Sequence, residues 1–373
     1  MPAKIFPNGS IYRGDIVNGM RHGVGTNLTK GGNTYAGDWK NDKPHGQGVY
    51  TYSTGEVYTG AFENGLPNGT GTMEYTDGSI YNGEWKDGVW HGVGTEKHEN
   101  GTIYEGYFEN GVRCGDGTLL TSDGDQYIGT FTDGKLNGKG RLNRKNGLRY
   151  KGDFVDGIPN GTGSFRYKNG DTYSGDVVNA KKHGKGIYRY VSGSTYEGEF
   201  QNDKQHGHGI ETMKGGDVFE GNYDNGIRTG FGVYTHKNGH RYEGNYVDGS
   251  PHGKGAYFYN NGDKYEGDFY EGKRHGNGVY THKNGAVYRG EYRNGLANGK
   301  GRYDFSNGES YEGDFVNGKI EGYGIYRFPS GQRYEGEFQN GKYHGRGVLY
   351  YASGSVKKGV WKDDVYVGED DDQ

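Results

Sequence analysis

The side chains in this 373-residue chain best suited to chemistry are histidines set beside paired glycines. A polar residue followed by Gly-x-Gly recurs with His22, His45, His91, His183, His206, His252, His275 and His344. Asn68, Asn137, Asn160, Asn298, Cys114, Thr229 and Glu321 take the same place elsewhere. Imidazole and thiolate bind zinc, so a metal site is the first chemistry to weigh. Ligands must converge to about 2.1 Å from the ion, whereas copies of a two-stranded repeat stand about 10 Å apart along a sheet. Copies within one chain converge poorly. The favoured role is therefore a side chain hydrogen-bonding loop backbone, a task Asn shares with His. The alternative is a zinc held across a dimer, with Cys114 or the close pair His206/His208 taking part. No other cofactor is expected.

The Gly-x-Gly pairs lack the strand-then-helix setting and the Lys-Ser/Thr that mark a phosphate loop. Acidic pairs such as Glu335/Glu337 recur as a row facing solvent, with no cleft to perturb their titration. No Ser-His-Asp or Cys-His arrangement is readable. No catalytic residue is assigned, and the chain reads as non-enzymatic.

What positions these residues is a repeat. An aromatic recurs every 23 residues at Tyr12, Tyr35, Tyr58, Tyr81, Tyr104, Tyr127, Tyr150, Tyr173, Tyr196, Phe219, Tyr242, Tyr265, Tyr288, Tyr311 and Tyr334, without insertion or deletion. Glycine follows two, eleven and thirteen residues later in every copy. A second aromatic follows four residues later except at Ile16 and Val177. The organisation read from this is an N-terminal half repeat at 1–11, fifteen repeats over 12–356, a C-terminal half repeat at 357–368 and an acidic tail at 369–373. Lys357 stands where the next aromatic is due, as befits an atypical terminal repeat.

Alternation along Tyr334-Glu335-Gly336-Glu337-Phe338 puts the rings and glycine on one face and the carboxylates on the other. Gly347, Leu349 and Tyr351 form one row of the following strand. Each repeat thus offers two strands of about five residues. Asn-Gly or Asp-Gly, as at Asn317-Gly318, reverses the chain after the first. A short link ending in Gly, as at Gly331, reverses it after the second. Strand glycines weaken a sheet unless something lies close over them, so rings of one strand are expected over glycines of the next. The fold class is all-β: an elongated single-layer twisted antiparallel sheet of tandem β-hairpin repeats, about 140 Å long.

Composition agrees. Glycine numbers 77 and tyrosine 36, too few aliphatics remain for a conventional core, and aromatics at 15% argue against disorder. A net charge of −4 gives no footprint for nucleic acid. One cysteine suits the cytosol. Neither MPAKIFPNGS nor VGEDDDQ reads as a signal peptide or lipidation motif. No apolar run reaches the roughly 20 residues that span a bilayer.

The consensus Y-E-G-E-F-x-N-G-x-x-H-G-x-G, clearest at Tyr265–Gly278 and Tyr334–Gly347, resembles the MORN repeat over residues 6–368. The resemblance implies a hairpin array. The all-repeat build is similar to MORN scaffold proteins of apicomplexan and trypanosomatid protists. It implies a cytoplasmic, cytoskeleton-associated homodimer at sites of division, budding or membrane-adjacent assembly, with cytoskeletal or membrane-adjacent proteins as partners. A ciliary or axonemal structural role is a near competitor. A peripheral membrane module binding phosphoinositide is the other alternative, with Lys181, Lys182, Lys185 and Arg189 as the basic cluster. Open sheet ends and exposed rings favour self-association. Tyr334, Phe338, Tyr351 and Trp361 are the candidate contacts with a second copy or partner.

Overall fold

The computed structural model describes residues 3–369, so residues 370–373 of the expected acidic tail lie outside the description. Among the described residues there are strands and turns and no helix, hence none long and apolar enough to cross a membrane. The chain packs as two compact units, one ending at Gly184 and one starting at Lys185.

Seven- and nine-residue strands alternate, from Ile11–Val17 and Met20–Leu28 to Lys342–Tyr350 and Val356–Lys362, with short strands Lys4–Ile5 and Val365–Gly368 at the ends. Within each unit, consecutive strands pair antiparallel, as in Ile103–Glu109 with Val112–Leu120 and Arg333–Gln339 with Lys342–Tyr350. The strands are longer than the expected five residues because pairing runs up to the tight turn. Both central turn residues have positive φ, for example Asn340 at 53° and Gly341 at 80°. That geometry matches strand twist and favours Asn-Gly. Asp42, Ala180, Asp203 and Asp364 take the glycine's place at φ 62–72°. The Asp42 carboxylate accepts the Arg21 N–H at 2.8 Å and that of Asp364 accepts the Tyr343 N–H at 2.9 Å.

The polar residue and its glycine pair form a bulge. Gly336 pairs with Gly347 and Phe338 with Tyr343, so His344, Gly345 and Arg346 lie opposite Glu337 alone. Gly345 accommodates the extra chain at φ 59°. Between hairpins the register is unbroken, from Gly345 opposite Trp361 to Tyr350 opposite Val356. Turn glycines also donate to the preceding hairpin, as in Gly65 N–H to Pro44 O at 2.9 Å.

The rings lie over glycines as the sequence requires. A Cβ built on Gly278 would collide with the Tyr265 ring, and one on Gly71 with Tyr58. The tyrosine hydroxyl then donates to bulge backbone: Tyr35 Oη to Asp38 O at 2.8 Å and to His45 O at 3.3 Å. First-position rings such as Tyr58, Tyr104 and Tyr265 also meet the second aromatic of their own strand and of the next repeat edge-to-face. In the second unit this chain is unbroken from Phe200 through Tyr196, Tyr223, Phe219, Tyr246, Tyr242 and onward to Tyr334 and Trp361. Its centroids are 4.9–5.5 Å apart and its interplanar angles 78–90°. Edge-to-face contact is the favoured aromatic geometry, contributing about 0.5–1.5 kcal/mol per pair beyond area burial. Tyr12, Tyr58, Tyr196, Tyr265 and Tyr334 are all 0% exposed.

Two substitutions vary the scheme. Tyr127 is only half-buried, and Leu136 sits against Gly129 and Gly140 instead, 2.8 and 3.0 Å from a built Cβ. At the C-terminal end Tyr366 replaces the aromatic lost at Lys357. Its ring lies 2.7 Å from a Cβ built on Gly359 and 5.3 Å from Trp361.

Candidate functional site

The conserved-looking chemistry of each repeat is spent on architecture. The bulge residue presents its backbone carbonyl, not its side chain, to the tyrosine: Tyr104 Oη donates to Cys114 O at 3.3 Å and Tyr311 Oη to Glu321 O at 3.4 Å. That explains why His, Cys and Glu interchange there; where Asn160 takes the place, Tyr150 Oη bonds Asp153 O at 3.0 Å and Thr162 O at 3.5 Å instead. Some of these side chains do bond loop backbone, since Asn137 Oδ1 accepts Asp156 N–H at 2.9 Å and Glu321 Oε1 accepts Asn340 N–H at 3.0 Å. The histidines do so less well. Nδ1 of His91 and His344 is buried without a hydrogen bond, and that of His206 approaches Asp224 Oδ1 at 3.4 Å without closing one. Cys114 is half-buried in the first unit, and burial pushes its thiol pKa up, which disfavours thiolate. His206 and the exposed His208 lie in the second unit. Among the described residues no three His, Cys, Asp or Glu side chains are grouped to hold a metal.

Burial also governs the tyrosines. It pushes Tyr35, Tyr58, Tyr104 and Tyr150 up to about 12, with nearby Asp38, Cys114 and Asp153 adding to the burial effect at three of them. These rings stay neutral at every physiological pH. They are walls and hydrogen-bond donors, not acids or bases.

Of the expected contact rings, Tyr334, Phe338 and Trp361 are 0%, 4% and 5% exposed. They are core residues, because the neighbouring repeat covers them; Tyr351, 36% exposed, is the one at the surface. Lys181, Lys182, Lys185 and Arg189 share one strand. Lys182 lies 5.3 Å over the Tyr167 ring and 3.3 Å from its hydroxyl, while Lys181 is exposed.

Two surface features were not anticipated. The first is a ladder of half-buried rings in the second unit: Tyr234, His236, Tyr257, Tyr259, Tyr280, His282, Tyr303, Phe305, Tyr326 and Phe328, each 4.5–6.4 Å from the next. Tyr234 and Tyr280 donate to Asp217 and Asp263 at 2.8 Å, so the pattern renews every 46 residues, or two repeats. Two cavities follow the same period. One of about 270 Å³ lies among Arg228, Tyr234, His236 and Tyr257, and one of about 280 Å³ lies among Arg274, Tyr280, His282 and Tyr303. The corresponding positions in the first unit include Glu96, Leu119, Thr121 and Arg144, which break the ladder.

The second feature is a groove of about 920 Å³ in the first unit. Gly129, Gly140, Gly152, Gly163 and Gly175 line it together with flanking side chains. Ile128, Arg141, Lys151, Ser164 and Ser174 stand opposite one another across five strands as one of these rows. On the other side of the glycines are Lys139, Thr162 and Asp176. Charge was the available signal. Residues 135–189 hold thirteen Lys or Arg and four Asp or Glu, +9, inside a chain of net −4. The whole-chain figure conceals that segment.

Comparison with known proteins agrees with the architecture. The family model described as MORN repeat matches fifteen segments, beginning at 12–26 and 35–57 and ending at 311–333 and 334–356. A comparison with curated proteins finds no match. Among solved structures, the TCP10 domain of Danio rerio CPAP with a STIL peptide is 11% identical with TM-score 0.28, covering 65% of this chain and 92% of that one. The Drosophila melanogaster SAS-4 TCP domain with an Ana2 proline-rich motif is 12% identical with TM-score 0.28, covering 48% and 90%. An inactive virginiamycin B lyase from Staphylococcus aureus with quinupristin is 12% identical with TM-score 0.13, covering 73% and 95%. Scores this low carry no inference about this chain.

Proposed function

The chain belongs to the MORN-repeat family, a non-catalytic repeat type of membrane- and cytoskeleton-associated proteins, and on that premise we propose that it is a structural scaffold acting as a homodimer. The observation that supports this reading is the half-buried ring ladder from Tyr234 to Phe328 with its two like cavities. Aromatic rings in pockets are the preferred anchors of protein interfaces. Equivalent pockets four strands apart repeat at about 19 Å, which lets one partner engage two sites and raises its effective affinity. The assembly served is cytoskeletal, of the division, budding or membrane-adjacent kind.

Replacing Tyr259 and Phe305 by Thr tests the reading, since Thr121 occupies the equivalent position in a sibling repeat. The tagged wild-type protein should remain with the detergent-insoluble cytoskeleton and the double variant should be released. Recovery of the wild type in the soluble fraction would overturn the scaffold reading. Sedimentation equilibrium tests the dimer, and a monomer at tens of micromolar would remove it. The basic strand Lys181–Arg189 favours a second reading, peripheral binding to phosphoinositide. Co-sedimentation with phosphoinositide vesicles that Lys181→Glu/Lys185→Glu abolishes would support it.

A further inference from the structure

We propose that the glycine-lined groove of the first unit is a binding site for an extended acidic peptide segment of a partner protein. The proposal is independent of the scaffold reading and uses different residues. Three observations carry it.

The groove holds uncompensated positive charge. Arg141 and Lys151 are exposed and stand directly opposite each other on adjacent strands. Like charges so placed repel and weaken a sheet. Their row supplies no counter-charge, because its other members are Ile128, Ser164 and Ser174. In seven of the fifteen repeats the position of Lys151 is Glu, from Glu105 to Glu335, so the commonest residue there, a carboxylate, is replaced by a cation. Lys139 is different: its Nζ lies 2.6 Å from Asp153 Oδ1, and this contact with the Thr162 N–H holds that carboxyl down at about 2. Its charge is already met within the groove, whereas that of Arg141 and Lys151 is offered outward.

The groove also has the shape of a strand site. It runs across five strands past backbone and small hydroxyls, Thr162, Ser164 and Ser174, which donate and accept without filling space. A chain of alternating acidic residues would set its carboxylates against Arg141 and Lys151. Asp176, on the far wall, would oppose acid placed beside it, so the charge requirement is localised. A bilayer surface is broad and meets exposed side chains, whereas a segment of chain can enter a groove of about 920 Å³. Charge complementarity and shape together select the peptide.

The test uses full-length protein and a fluorescein-labelled twelve-residue peptide alternating Glu and Ser, read by anisotropy at 50 and 200 mM salt. The variant is Arg141→Thr/Lys151→Glu. Thr118, one repeat back, and Glu105, two repeats back, hold the equivalent positions and pair with each other, so the fold already accepts both residues. The expected result is saturable binding that weakens about tenfold or more in the variant and falls with salt. Lys254→Glu, the counterpart of Lys139 in another repeat, should bind like wild type. The proposal fails if wild type does not bind below 1 mM, or if Lys254→Glu weakens binding as much. It also fails if the double variant loses binding to phosphatidylserine vesicles while the peptide binds neither protein. Unchanged thermal unfolding of the variant is the required control, and Arg141→Lys should retain binding if charge is what the site reads.

Discussion

Replacing Gly278 by Ala separates the ring nest from every ordinary property of glycine. Gly278 is extended and pairs with Gly267 and Gly290. In an open strand such a change stabilises by about 0.5–1 kcal/mol through chain entropy. Here the new Cβ would collide with Tyr265 Oη and Cε2 and stand 2.6 Å from Cζ. The ring cannot retreat, because Phe269 and Tyr292 hold it edge-on at 5.2 and 5.0 Å. Overpacking of this kind costs about 2–3 kcal/mol. Tyr265→Ala costs about 3–5 kcal/mol, the usual range for deleting a buried aromatic. With the ring gone the Cβ has room, so the double variant should cost no more than Tyr265→Ala alone, a coupling of about 2–3 kcal/mol. An array does not unfold as a single unit, so the measurement is amide hydrogen exchange in Lys264–Tyr270 and Lys273–Thr281. Gly278→Ala should speed exchange there roughly 30- to 150-fold. A neutral or stabilising Gly278→Ala, or a double variant equal to the sum of the singles, would refute the nest.

Other expectations follow from the same geometry. Ala180 holds a left-handed turn position at φ 62° without the carboxylate that Asp42 and Asp364 use there. Ala180→Gly should therefore stabilise by about 0.5–1 kcal/mol, read as a higher urea midpoint. The tyrosines raised to about 12 ionise near 10 once unfolded, so stability is full below pH 10 and is lost between pH 10 and 12. Each such ring contributes about 1.4 kcal/mol per pH unit, and circular dichroism should show a steep alkaline transition; a flat profile to pH 12 would contradict the burial. Tyr366→Ala should open the slot at Gly359 and accelerate exchange of Val356–Lys362 while leaving repeats beyond the neighbouring one unaffected.

Much of this was legible in the sequence because the 23-residue spacing and the strand glycines admit few readings. A ring had to lie over Gly278 for a glycine to be needed in that strand. The bulge at His344–Arg346 was not legible, since register depends on how far pairing continues past Gly336. Nor was Leu136 in the place of Tyr127, a choice made between two apolar side chains that both reach the glycines. Histidine drew attention for its chemistry, yet the carbonyl of His45 is what Tyr35 reads. The basic groove and the 46-residue alternation of Asp217, Asp263 and Glu309 were present in the letters. They disappear when charge is summed over the chain or the repeats are averaged into one consensus.

Pairing only with the adjoining strand has a kinetic meaning. Hydrogen bonds such as Gly65 N–H to Pro44 O reach back no further than one repeat. Loop closure is then short everywhere, the condition for rapid folding despite an all-strand chain. A hairpin leaving the ribosome needs only its predecessor as a template, so the polypeptide can fold in step with its own synthesis.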